Sequence, residues 1–253
     1  MKEIHLTIAA ATGQERALDR IANNLANVST PGFKKDRAVF LNYLAGGALQ
    51  AGLTAPSGGA DPAKSAAAWP TAGTAFTDLS AGPIQHTQQP LDLAIEGDGY
   101  FMVEVEGQQA PRYTRAGNFR LNAAGELTTA AGRRILGDSG EPITIDPGLG
   151  APEITETGEI FVGGQQVGRL GMVSFSDPSV LRKWGEGLLM APPGVEPGES
   201  TGRIRQGYLE GSNVNPIEEM VRMIQAQRIY ETQQKALQTA DELTEQRIRA
   251  ARE

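Results

Sequence analysis

The chain has 253 residues, of which 23 are basic and 30 are acidic, so its formal net charge is −7. An acidic balance of this kind lacks the positive surface that binding to nucleic-acid phosphates requires, which excludes a general DNA or RNA binder. Cysteine is absent, His5 and His86 are the only histidines, and no run of 18 apolar residues occurs; we therefore expect no disulfide, no metal, no cofactor and no membrane-spanning helix.

The N-terminal segment has the pattern of an amphipathic helix. Apolar residues recur every three or four positions from residue 4 to residue 28, and residues 29–32 (STPG) supply the stop signal. A helix of this length is a rod of about 37 Å. The segment does not resemble a signal peptide, because His5, Thr7 and then Arg16 interrupt its apolar stretch. We assign residues 1–32 as an N-terminal assembly helix.

Residues 33–90 are predicted to be a connector. Between residues 45 and 82, 19 of 38 residues are alanine or glycine, so few large side chains are present to build a core. This composition favours an extended or partly disordered segment.

Residues 91–211 have the pattern of a central, mainly antiparallel β domain. Short runs with apolar residues two positions apart recur, as in residues 91–95 and 100–105, and glycine-containing turns separate them. Gly97-Asp98-Gly99 lacks the third glycine and the following helix of a dinucleotide fingerprint, so we interpret it as a hairpin turn.

Glu104 and Glu106 are the candidate catalytic residues of an alternative function. They project from one strand face, as a pair of carboxylates in a carbohydrate hydrolase would. A solvated strand face opposite Val103 and Val105 explains the same pattern, and we favour that explanation.

Residues 212–253 are predicted to form a second, longer helix. Asn215 is a good N-cap, Pro216 suits the first helical position, and Glu218 is placed to close a capping box. The helix would extend about 50 Å, which favours packing along another long helix. The predicted fold class is therefore α+β, with the two terminal helices pairing as a coiled-coil-like domain beside the β domain.

Three asparagines, Asn23, Asn24 and Asn27, lie within five positions of the first helix. Asparagine is a poor helix former, so we expect their amides to have partners, for example in a helix bundle whose register they fix.

Residues 21–35 read IANNLANVSTPGFKK, which resembles the N-terminal signature of the bacterial flagellar basal-body rod and hook family. Residues 212–215 (SNVN), 218–221 (EEMV) and 224–231 (IQAQRIYE) resemble its C-terminal signature. Residues 95–101 (IEGDGYF) and 113–119 (YTRAGNF) are also similar to family segments. The resemblance covers most of the chain apart from the connector.

The resemblance implies a structural rod subunit and not an enzyme. Members are exported by the flagellar type III apparatus without a cleaved signal peptide and assemble in the periplasm into a tube, in contact with copies of themselves and with other proximal and distal rod proteins. Contact with the surrounding ring or with peptidoglycan is left open. The assembly interface implied here consists of Ile8, Ala11, Leu18, Ile21, Ala22, Asn23, Asn24, Leu25, Asn27, Val28, Met220, Val221, Ile224, Tyr230 and Leu237.

Two members of the family fit the chain. Residues 167–173 (VGRLGMV) and 177–181 (DPSVL) resemble a proximal-rod member, whereas residues 37–40 (RAVF) and 225–230 (QAQRIY) are similar to a distal-rod member. Chain length and the segment after Val167 favour the proximal-rod member.

Overall fold

A computed structural model describes residues 2–38, 75–108 and 110–250. Most of the predicted connector, residues 39–74, lies outside the described residues. Two short 3₁₀ helices, Pro147–Leu149 and Pro178–Val180, accompany the main elements. In chain order the helices and strands are α1 (Lys2–Ala26), β1 (Asp36–Ala38), β2 (Ala75–Thr77), β3 (Ile84–His86), β4 (Leu93–Glu96), β5 (Tyr100–Val103), β6 (Arg112–Thr114), β7 (Arg120–Leu121), β8 (Leu127–Thr128), β9 (Glu153–Ile154), β10 (Glu159–Val162), β11 (Gln165–Arg169), β12 (Met172–Ser174), β13 (Arg182–Gly185), β14 (Leu188–Met190), β15 (Gly198–Glu199), β16 (Arg203–Gln206), β17 (Tyr208–Glu210) and α2 (Pro216–Ala250).

The described chain forms two compact units. One contains residues 2–20 and 224–250, which are the larger parts of both helices. In that unit the Gln14 side-chain amide donates a hydrogen bond of 3.0 Å to the carbonyl of Ala226, which is buried. Coiled-coil pairing of the two helices stays a prediction.

The second unit consists of Ile21–Asp36 and Thr77–Met223 and contains the β domain. Its largest sheet has six strands in the order β13-β14-β6-β5-β12-β15, and smaller ladders join β11-β10-β9, β16-β4, β17-β3 and β7-β8. Every one of these pairings is antiparallel. The predicted α+β class, with a central antiparallel β domain and a helix at each end, is confirmed.

Strand β5 is covered on both faces. Successive side chains of a strand point to opposite sides, and here each side packs in a different apolar cluster. Phe101 and Val103 belong to the main hydrophobic core, together with Leu127, Ile135 and others. Tyr100 instead packs in a second cluster, where its ring lies 6.0 Å from that of Phe175. The alternation in the sequence therefore marks two apolar clusters here and not one buried and one solvated face.

The prediction of a hairpin turn at Gly97-Asp98-Gly99 is wrong, because β4 and β5 do not pair with each other. Strand β4 pairs with β16, whereas β5 pairs with β6 and β12, so the three residues form a corner between two sheets. The guanidinium of Arg115 donates to the carbonyls of Ile95 and Gly97 in this corner, at 3.2 and 2.7 Å.

The ends of the helices follow the local signals of the sequence. Helix α1 ends at Ala26, and residues 27–32 form the turn that the proline and glycine predict. At the start of α2, the Asn215 side chain accepts hydrogen bonds from the amides of Ile217 and Glu218, at 3.1 and 3.4 Å, which confirms the N-cap. The Glu218 carboxylate lies against Arg222. Neither helix, over its described length, is long and apolar enough to cross a membrane.

Candidate functional site

The two terminal helices enter the β domain at neighbouring points, which we call the helix roots, Ile21–Ala26 of α1 and Pro216–Met223 of α2. Asn24 joins them. Its buried side chain donates to the carbonyl of Asp36 and accepts from the amide of the same residue, both at 3.0 Å. The same side chain lies 3.5 Å from the carboxylate of Glu219, which is also buried. This Asn24 centre explains why an asparagine is present on α1, because one amide satisfies a donor and an acceptor of a strand and reaches α2.

The other two asparagines have different surroundings. Asn27 closes the turn after α1: its side chain donates to the carbonyl of Asn23 at 2.8 Å and accepts from the hydroxyl of Thr30 at 3.1 Å. The side chain of Asn23 is exposed. The expectation of amide partners is therefore confirmed for Asn24 and Asn27, with partners inside the same chain.

Gly32 lets the chain pass directly over the loop that follows β6. Its φ angle is +67°, a conformation that favours glycine, and a Cβ at this position would collide with the backbone of Arg115 and Ala116. The glycine of the N-terminal motif is thus required both by the turn and by the close approach.

A second buried group, the Glu210 centre, lies where this loop meets the end of β17. The Glu210 carboxylate accepts hydrogen bonds from Lys34 Nζ at 2.5 Å, from the Gly82 amide at 2.9 Å and from Arg115 NH1 at 3.3 Å. Glu210, Lys34 and Arg115 are only 1%, 4% and 8% exposed. Such a low exposure means that the three charges are stabilised by one another and by polar protein groups, not by water.

Both cations also donate to backbone carbonyls. Lys34 Nζ donates to the carbonyl of Ser80 at 2.7 Å, and Arg115 donates to two carbonyls at the end of β4, as described above. Burial lowers the pKa of the Lys34 ammonium below its ordinary value, and the nearby Glu210 carboxylate opposes that shift. The centre therefore holds two buried cations with one carboxylate between them.

Asn213 extends the Glu210 centre toward α2. Its side chain accepts from the amide of Lys35 at 2.7 Å and donates to the carbonyl of Asp78 at 2.8 Å. Gly82 and Gly211 cross nearby, and a Cβ at Gly82 would collide with the Gly211 carbonyl. Residues in the two described parts of the predicted connector are thus bound to the segment that leads into α2.

The residues predicted to form the assembly interface have very different exposures. Asn24 is buried in its own centre, whereas Met220, Val221 and Ile224 are exposed. Of the others, Ala22 and Asn23 are exposed, and Leu18, Ile21, Leu25, Asn27, Val28 and Tyr230 are half-buried. The side chains of Ile8, Ala11 and Leu237 lie outside the described residues.

Glu106 is exposed, and Glu104 is half-buried. Glu104 forms an ion pair of 2.8 Å with Arg134, which also lies 3.5 Å from Glu126. A carboxylate held by an exposed arginine has the ordinary environment of a surface ion pair. This arrangement gives no support to a hydrolase. In the part of the chain that the structure describes, no group of three or more histidine, aspartate or glutamate side chains is placed to hold a metal ion.

Lys34 and Arg115 lie in two of the motifs of the sequence but have no predicted role there, and Glu210 belongs to none of the motifs. Glu210 stands 176 residues from Lys34 and 95 from Arg115, so no local pattern could connect them. The one available signal was a charged residue between Leu209 and Gly211 immediately before a motif.

Three family models match separate parts of the chain. "Flagella basal body rod protein" covers residues 8–34, "Flagellar hook protein FlgE/F/G D1 domain" covers residues 94–162, and "Flagellar basal body rod FlgEFG protein C-terminal" covers residues 205–249. Each of the three segments contributes to the Glu210 centre: Lys34 from the first, Arg115 from the second and Glu210 from the third.

Full-length relatives lead to the same family. A flagellar basal-body rod protein FlgF from Caulobacter vibrioides is 37% identical over 90% of this chain and 89% of its own. Rod proteins FlgG from Bacillus subtilis and Borreliella burgdorferi are each 34% identical, over 100% and 96% of both chains. The helix–β domain–helix chain is a structural protein of the flagellum. It belongs to the flagellar basal-body rod protein family.

Proposed function

We propose that the chain polymerises into the periplasmic rod through its terminal helices, with copies of itself and other rod proteins as partners, after export without a cleaved signal peptide. The observation that carries this proposal is an apolar ridge at the start of α2. Its four residues, Ile217, Met220, Val221 and Ile224, are 73%, 51%, 49% and 51% exposed.

The ridge is one continuous face of the helix. Residues at intervals of three, four and seven positions share a helix face, whereas Glu219 and Ala226, on the other side, are buried. Contiguous exposed apolar side chains on a protein typically mark an interaction surface, and removing them from water favours association. We infer that a different surface of the neighbouring subunit covers the ridge, which makes the contact heterologous. Such contacts generate an open helical tube when the rotation between subunits does not close a ring.

The half-buried residues of α1 complete the proposed interface. Leu18, Ile21 and Leu25 continue the apolar pattern of α1, and Val28 follows in the turn after it. Each retains exposed surface for a neighbouring subunit. Asn24 contributes indirectly, since its amide holds the root of α1 beside that of α2.

Ile224→Asp tests the proposed interface. Burying an isoleucine contributes about 1.5–3 kcal/mol, so its loss and the added charge are expected to weaken each contact roughly tenfold or more. We expect loss of motility and loss of the subunit from isolated basal bodies, and the same from Leu25→Asp. Gln225→Asp is the matched control, because it places the same charge one residue away, beside the ridge. If Ile224→Asp cells swim normally with complete rods, the assigned interface is wrong.

Within the family we propose the FlgF type, a proximal-rod subunit. Residues 167–173, which run from β11 into β12, and residues 177–181, which include the capped 3₁₀ helix Pro178–Val180, support this assignment. The FlgG type, a distal-rod subunit, is the alternative, and the similarity of residues 225–230 and the 34% identity to a FlgG over the whole chain favour it.

The absence of native cysteine allows these two assignments to be separated. A single cysteine at exposed Met220, in cells carrying this variant as their only copy, can be crosslinked in isolated basal bodies and its neighbour identified by mass spectrometry. Attachment to proximal-rod subunits is the outcome expected for FlgF, whereas attachment to hook-side subunits assigns the chain to FlgG. A cysteine at Gln225 provides the comparison position.

A further inference from the structure

The Glu210 carboxylate is shared by three chain segments that are distant in sequence. Its partners Lys34, Gly82 and Arg115 lie 176, 128 and 95 residues away. The carboxylate is almost completely buried. When one segment leaves the centre, the carboxylate therefore loses a hydrogen bond that water does not readily replace. Each segment therefore depends on the presence of the others.

Of the four chain segments that meet at this centre, those of Lys34 and Glu210 are the connections to the terminal helices. Lys34 follows the end of α1 by eight residues, and Glu210 precedes the start of α2 by six. They also exchange backbone hydrogen bonds: the Gly32 amide donates to the carbonyl of Glu210 at 2.7 Å, and the Asn213 amide donates to the carbonyl of Phe33 at 3.3 Å. Docking of one connection thus supplies the partners of the other.

The charges identify the carboxylate as the organising group. Lys34 and Arg115 are both buried, and Glu210 is the carboxylate that lies between them. Removing Glu210 would leave two buried cations without the carboxylate that pairs directly with both, which is strongly unfavourable. Removing Lys34 would leave Glu210 and Arg115 as a balanced pair.

We propose that the Glu210 centre is a conformational lock that makes the ordering of residues 31–36, 80–83 and 210–214 on the β domain one cooperative event. Both terminal helices then gain their attachment to the β domain together, and neither root is fixed alone. The lock acts within the single chain and does not depend on which partner the helices bind.

Hydrogen exchange on the full chain tests the lock with Glu210→Gln. The amides of Gly32, Gly82 and Asn213 report on the three segments, and the amides of Leu127 and Ile135, which are bonded inside the main core, report on global unfolding. We expect the three reporters to exchange faster by one common factor, about tenfold to a hundredfold, while the core amides keep their protection. Glu156→Gln is the matched control, because it removes the charge of an exposed ion pair.

Faster exchange at Gly82 alone would overturn the proposal, since Gly82 is the direct backbone partner of the carboxylate. Lys34→Met carries the test if Glu210→Gln leaves no folded protein. This variant removes the Lys34 contacts to Glu210 and Ser80 but keeps the Glu210–Arg115 pair. If the lock exists, the exchange rates of the Gly32, Gly82 and Asn213 amides rise by one common factor, which is smaller than with Glu210→Gln. A change of exchange rate confined to residues 34 and 35 would refute the proposal.

Discussion

At the scale of single residues, Lys34 links the stability of the chain to pH. Burial lowers the pKa of its ammonium below the ordinary value of 10.5, and the Glu210 carboxylate opposes that shift. Between the lowered pKa and 10.5, the unfolded chain binds up to one proton more at Lys34 than the folded chain, so the free energy of unfolding should rise with pH. We expect this rise in urea unfolding of the wild-type chain and its absence in Lys34→Met.

At higher pH, two buried tyrosines lower the free energy of unfolding, which is opposite to the effect of Lys34. Burial raises the pKa of Tyr100 and Tyr113 above their ordinary value of 10.0, so the unfolded chain loses these protons first and stability falls. The wild-type chain and Lys34→Met both carry these tyrosines. The difference between their free energies of unfolding at each pH therefore isolates the contribution of Lys34. Parallel curves for the two proteins, from neutral pH to 10.5, would show that Lys34 is not the source of the dependence.

At the scale of secondary-structure elements, the sequence predicts the ends of the helices and the positions of the strands, because residues close in sequence determine them. Helix α2 begins at Pro216 because the Asn215 side chain caps its first amides, and both groups are adjacent in the sequence. The end of α1 follows in the same way from the proline and glycine of the next turn. Periodicity likewise identifies the strands, because residues two positions apart share a face.

The pairing of those strands is not a local property. Strands β4 and β5 are separated by three residues that favour a turn, yet each binds a partner far along the chain. The Glu210 centre has the same character, because Lys34 and Arg115 lie in separate motifs and meet only through tertiary structure. Spacing along a strand or helix carries no information about contacts of this range.

At the scale of the whole molecule, polar and apolar contacts have different roles around the helix roots. Buried charges and amides join the helix roots to the β domain, whereas the apolar ridge on α2 faces solvent. This distribution agrees with the proposal that association occurs through the helices, because contiguous exposed apolar side chains typically mark an interaction surface. The proposed interface lies on the terminal helices, whereas Glu104 and Glu106, which a hydrolase would use, lie in the β domain.

The double variant Glu104→Gln/Glu106→Gln tests that separation in the cell. Exposed ion pairs contribute about 0–1 kcal/mol, so loss of the Glu104–Arg134 pair should change stability little. We expect normal rods in isolated basal bodies and normal swimming on soft agar, because neither glutamate belongs to the proposed interface. Ile224→Asp, with its opposite expected phenotype, is the positive control for both measurements. Swimming that fails while rods remain complete would point to a chemical role for the two carboxylates and would return the hydrolase to consideration.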